Sequence, residues 1–218
     1  MGGAFTSSFG NLATENDKKR MYSVYRKSCF VMNSLAFICC AGFIACIQDF
    51  IYIVFGSNFV LSFSCVLILV FSMLIYLLDI PIISVQNAMG LHRCDAGVMI
   101  IQAVLAIACG YGAGKVWGME GILLGLTIPT VIFTFIHKGI VISKVAFEVT
   151  SYKYLKDMGS DLIKGIVIIG VISAICNCIP AWNPVIAMIL KGILSVIISG
   201  ILIIAFSFKS EYFKETLA

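Results

Sequence analysis

The chain has 218 residues, 61% of them hydrophobic and 12% charged, and a formal net charge of +4. A soluble domain carries roughly a quarter of its residues as charged ones, so this composition excludes an ordinary soluble fold and points to an integral membrane protein. The positive charge lies between apolar runs and forms no basic face, which argues against nucleic acid as a partner.

The first 28 residues are polar, with Glu15, Asp17 and Lys18 to Arg20 ahead of any apolar core. No signal peptide is expected, and the first span would serve as its own insertion signal. A bilayer core is about 30 Å thick and a helix needs roughly 20 apolar residues to cross it. On that scale the sequence predicts six transmembrane helices, at about 29–55, 59–80, 96–111, 118–136, 162–179 and 185–208. The segments 1–28 and 209–218 flank them.

Gln48-Asp49 closes the first core and Gly56-Ser57-Asn58 makes the turn into the second. Asp79 and Pro81 are expected to interrupt the second span, with helix continuing beyond Pro81 until Gly90. The third ends in the cluster Gly110, Gly112 and Gly114. In the fourth, Gly118, Gly121 and Gly125 fall at i, i+3 and i+7, a stripe of bare backbone against which another helix can pack. Pro129 removes one donor from its middle, a defect that Thr127, Thr130 and Thr134 are placed to relieve. Residues 141–161 read as a helix lying on the membrane surface, with Lys144, Glu148, Lys153, Lys156 and Asp157 spaced among apolar and tyrosine residues. The corner Pro180 to Pro184 with Trp182 joins the fifth span to the sixth.

With the N-terminus in the cytoplasm, thirteen of the fifteen Lys and Arg fall on that side. Lys115 alone is outside and Lys191 is within a span. That asymmetry fits the positive-inside rule, and an even number of crossings returns the C-terminus to the cytoplasm.

No nucleophile and base, carboxylate pair, phosphate loop or zinc spacing stands out, so neither catalysis nor a cofactor or metal is expected. Eight of the nine cysteines lie in apolar runs and read as small hydrophobes. The GYGAG of residues 110–114 lacks the GK[ST] ending of a phosphate loop. His92 and His137 sit at span ends.

Polar groups at membrane depth say more, since an ionisable one there costs about 2.5–3.5 kcal/mol or more. Lys191, about seven residues or ~10 Å into the sixth span, has two readings: it snorkels outward, or it faces a wet cavity and an anion. Asp79 either lines an opening through a broken helix or marks the inner interface. Gln86, Asn87, Gln102 and Asn33 suit interhelical hydrogen bonds or a substrate path.

Three stretches together bear a likeness to a known family. Residues 8–15, SFGNLATE, are similar to the S-x-G-N-x-x-x-(S/E) loop of bacterial oligosaccharide flippases, the polysaccharide transport branch of the multidrug/oligosaccharidyl-lipid/polysaccharide exporter superfamily. Residues 117–125, WGMEGILLG, resemble that family's W-G-I-x-G-V-L-L-G. The tail 206–214, FSFKSEYFK, resembles its F-x-x-x-x-E-(F/Y)-(K/F) close. The resemblance implies an all-α, six-helix lobe of a two-lobed exporter in the bacterial cytoplasmic membrane. Such a protein moves an oligosaccharide on a polyprenyl diphosphate carrier for surface polysaccharide assembly, coupled to an ion gradient or to alternating access. The chain matches only the second lobe, so the partners implied are the lipid-linked oligosaccharide, the bilayer, and a first lobe or a second copy.

Asn11 lies in the matched loop. The family often has a cation in the segment after the proline of its broken helix; here Gln86 holds that place and Arg93 is the nearest cation. Asn11, Asp79, Gln86, Arg93, Gln102 and Lys191 are therefore the expected substrate-path residues. Two other readings compete: a truncated, non-transporting remnant or structural membrane subunit, and a membrane enzyme of polymer assembly, which the short, nearly neutral outer loops disfavour.

Overall fold

Apolar residues in runs too long for a soluble core can satisfy their backbone in lipid only as helices or closed barrels, and every element described here is helical. The computed structural model of the chain describes residues 9–12, 17–147, 149–179 and 183–207, without the side chains of 92–96, 134 and 135. The tail motif beyond Ser207, residues 8 and 13–15 of the N-terminal loop, the Trp182 corner, Glu148 and the Arg93 and Thr134 side chains lie outside the described residues.

Six helices are joined in order: α1 (Lys18–Phe55), α2 (Phe63–Ala88), α3 (His92–Thr130), α4 (Gly139–Ala146), α5 (Ser151–Asn177) and α6 (Pro184–Ser207). A short 3₁₀ turn at Ser57–Phe59 precedes α2, and a π-helical segment, Val131–Lys138, joins α3 to α4. Among the described residues five segments are long and apolar enough to cross a membrane: Lys18–Phe55, Phe63–Ala88, Gly97–Ala146, Ser151–Asn177 and Pro184–Phe206.

Three differences from the expected element boundaries bear on the site. The charged N-terminal stretch and the first core form one helix, α1, whose start is held by the Asp17 side chain accepting from the Arg20 amide at 3.0 Å. Asp17 is thus an N-cap for the orphan amides of the first turn. Second, α2 passes through Pro81 without a break and stops only near Gly90, whose φ of +67° suits glycine. Proline deletes a single ladder bond, and the apolar flank on either side keeps the helix in register. Third, 141–161 is not one surface helix: 139–146 extends the preceding helix and α5 begins at Ser151.

The third candidate segment folds back on itself. Gly118 has φ +60° and ψ −135°, far from helical values, inside what is otherwise continuous helix. Beyond it the two arms run antiparallel. Gly110 faces Ile122 and Leu126, Gly114 faces Ile122, Gly121 lies against the Ala113 carbonyl, and Gly125 against the Cys109–Gly110 backbone. Small residues let the backbones approach this closely, as in membrane helix pairs generally. The expected separation into two helices is thus present as a tight hairpin, but the first arm continues as helix through Gly110, Gly112 and Gly114, where it was expected to end, and turns only at Gly118.

Contacts divide the chain into two units, one of residues 1–32 and 75–160, the other of 33–74 and 161–218. The first is built on the start of α1, the end of α2, the hairpin, α4 and the start of α5. Its core holds Met21, Tyr25, Ile82, Val85, Ile142, Phe147 and Tyr154. Tyr25 stacks on Phe147 with centroids 4.8 Å apart, Tyr22 meets the same ring edge-on at 5.3 Å, and Tyr154 stacks on Tyr25 at 6.3 Å. Gly139 leaves room for the Tyr154 ring, which a Cβ there would strike.

The second unit packs the rest of α1, α2 and α5 with α6. Phe37, Cys40, Val66, Val70, Leu74, Ile168 and Ile172 are buried together in its core. Gly165 sits where a Cβ would come within 2.7 Å of the Phe37 ring. The outer faces of α6 and of the hairpin are apolar and exposed, Ile107, Val116, Trp117, Ile186 and Ile201 among them. Exposed apolar surface on that scale suits contact with lipid tails.

Candidate functional site

Ionisable groups inside apolar helices require partners, and among the described residues each unit holds a closely bonded Lys–Asp pair that is mostly buried. In the first, Lys138 Nζ donates to Asp79 Oδ2 at 2.8 Å, with the side chains only 8% and 7% exposed. Asp79 comes from α2, two residues before Pro81. Lys138 ends the π-helical segment, which follows Pro129. Lys138 lies about 20 residues beyond the Gly118 turn, or roughly 30 Å at 1.5 Å per residue. That is close to the full thickness of a bilayer core, so the pair sits near the edge of the apolar layer.

The backbone leading to Lys138 departs from the α-helix, running as π-helix over Val131–Lys138. π-helical turns are rare and concentrate at functional sites. Pro129 cannot bond the Gly125 carbonyl one turn back. The neighbouring threonines do not replace that bond: Thr127 donates to the Leu123 carbonyl at 2.8 Å and Thr130 to that of Leu126 at 2.9 Å. Gln102 reaches Thr130 Oγ1 from the other arm of the hairpin, at 3.4 Å. The weakened stretch therefore runs from Pro129 to Lys138, with the buried cation at its end.

In the second unit Lys191 Nζ donates to Asp49 Oδ2 at 2.7 Å, the side chains 13% and 14% exposed. Lys191 is thus paired with the acid at the end of the first apolar core. Cys46, one turn before Asp49, donates through Sγ to the Met188 carbonyl at 3.5 Å. Gln48 donates to the Leu61 carbonyl at 2.7 Å and so ties the Gly56 turn to α1. A second polar group joins Asn33 Nδ2 to Asp161 Oδ2 at 3.2 Å and Lys164 Nζ to Asp161 Oδ1 at 3.1 Å.

The expected substrate-path residues are distributed over both units. Asp79 and Lys191 each have a carboxylate–ammonium partner, in separate units. Gln86 is buried in the first unit and Asn11 is exposed. Arg93 lies on the first turn of α3. Asp49 and Lys138, which hold the two pairs together, appeared in the sequence only as a span end and a span flank. The available signal was that an acid within an apolar run needs a cation, and Lys138 and Lys191 are among the cations standing in or beside apolar runs.

The cavity described in the second unit, about 250 Å³, is lined by Leu67, Val70, Phe71, Leu74, Ile166, Ile169 and Gly170. It offers nothing to a sugar or a phosphate. No cluster of His, Cys, Asp and Glu suited to a metal occurs among the described residues. No protein-family model, no curated protein and no solved structure matches this chain, and its own helices define an all-α, multi-pass membrane protein.

Proposed function

We propose that the chain is a non-enzymatic transporter lobe that crosses the bilayer six times, with both ends in the cytoplasm, and takes part in moving a lipid-linked oligosaccharide outward. The observation that carries this reading is the Asp79–Lys138 pair, buried at the end of a proline-weakened, π-helical segment. A buried pair is stable while intact and strongly unfavourable with one member removed, so it has two states separated by a cost. The π segment supplies the coordinate between them. Taking up one residue of helical slack turns everything beyond it by about 100° and shifts it by ~1.5 Å. That would carry Lys138 off Asp79 and present it to an anion. The choice of a diphosphate carrier rests on the likeness of residues 8–15, 117–125 and 206–214 to bacterial oligosaccharide flippases.

The test is translocation of a fluorescent polyprenyl-diphosphate oligosaccharide in vesicles holding the chain, with and without a first-lobe partner. Transport above background is expected, falling at least tenfold in Asp79→Asn. Background rates with inserted, folded protein in both preparations would leave the structural-subunit reading in its place. One observation favours that second reading: the cavity described above is wholly apolar and has no polar lining to conduct a saccharide.

A further inference from the structure

We infer that one end of the first unit is a docking surface for the headgroups of acidic phospholipids. Residues 17–32 and 139–160 carry eight Lys and Arg against three Asp and Glu, and aromatic contacts join the two segments at one end of that unit. Tyr22 and Tyr25 of α1 meet Phe147, and Tyr25 meets Tyr154. Two of the acids are already engaged. Asp157 accepts from Tyr22 Oη at 2.6 Å and lies 4.0 Å from Arg26 Nε, while Asp17 caps α1.

Lys19, Arg20, Lys144, Lys153 and Lys156 are exposed around this aromatic collar, and Lys153 Nζ stands 5.5 Å over the Tyr22 ring. Tyr152 beside them is also exposed. The start of α1, the end of α4 and the start of α5 are the points where apolar helices begin or stop, so these cations stand at the level of headgroups. Four to eight basic residues beside a membrane helix, on an anionic leaflet, are each worth about a fivefold gain in affinity. Interfacial tyrosines anchor that level. The occupant is a lipid because the surface is a rim around membrane-spanning helices, ringed by exposed cations and interfacial tyrosine.

The inference stands apart from the transport reading and is tested without it. The full chain in neutral detergent is titrated with phosphatidylglycerol or phosphatidylcholine, and retained lipid is counted by native mass spectrometry. Phosphatidylglycerol should be held at least tenfold better. K144Q/K153Q/K156Q should remove most of that preference, at about fivefold per residue. K19Q/R20Q on the other segment should weaken it too, with helical circular dichroism unchanged in both. K115Q, beside the Gly118 turn, should leave it intact. Equal retention of the two lipids, an unaffected triple variant, or displacement of phosphatidylglycerol by free glycerol phosphate at matching concentration would each overturn the assignment.

Discussion

Asp79→Asn and Lys138→Met are each expected to destabilise the protein by about 3–5 kcal/mol, the cost of stranding one member of a buried ion pair. The double variant should regain most of that loss. Both side chains are more than nine-tenths buried, so neither charge can turn to water without the local helices parting. Removing both charges at once leaves two uncharged side chains of nearly the original shape, so the cost of a stranded buried charge is gone and only that of the Asn amide remains. Thermal unfolding of the three variants in one detergent checks the pattern. Additive single losses would show that the pair does not act as a pair. The same double variant separates stability from work: if the pair is a latch, the protein lacking it folds and does not transport.

Gly125→Leu and Gly121→Leu should be the most damaging changes in the hairpin, each by at least about 3 kcal/mol, the upper end of what overpacking costs. A Cβ at Gly125 would stand 2.5 Å from the Cys109 carbonyl carbon and the Gly110 nitrogen. Both are backbone atoms, which cannot swing aside as a side-chain tip can. Gly121 is in the same position against Ala113. Gly118→Val should also be poorly tolerated, for another reason: it has open space, but its φ of +60° with ψ −135° is nearly closed to a β-branched residue. Gly112→Leu makes the control, since nothing lies within 4 Å of a Cβ there. The yield of monodisperse protein should fall for the first three and stay level for the fourth.

Composition alone made the fold class legible, because lipid leaves an apolar chain of this kind few structures to adopt. Hydropathy also placed the long helices, which follow from local runs of residues. The joints were harder. Pro81 reads as a break, yet one missing hydrogen bond in a buried apolar helix is too small a loss to stop α2. Residues 141–161 carry charge at helical spacing, but nothing in that spacing marks the interruption after Ala146. The partners of Asp79 and Lys191 were not legible for a more general reason. Periodicity tells which face a residue occupies, whereas its partner is set by the packing of helices far apart in sequence. Asp49 and Lys191 are brought together only because α6 returns beside the end of α1.

Gly118 shows the same limit at a smaller scale. Spacing placed it on a stripe with Gly121 and Gly125, and all three glycines are of one chemical kind. Only the backbone angle separates the residue that turns the chain from the two that let the arms meet. Gly114, by contrast, faces the Ile122 side chain, so substitution there pushes on a flexible neighbour.

The account depends on the segment 97–146 going out through the membrane and coming back. Reporters fused after residues 115 and 207, read in cells against a tag placed ahead of residue 18, test this directly. The hairpin predicts that the reporters at 18 and 207 lie on one side and the reporter at 115 on the other. Ends found on opposite sides of the membrane would mean a single passage of that segment, and would contradict both the hairpin and the transporter built on it.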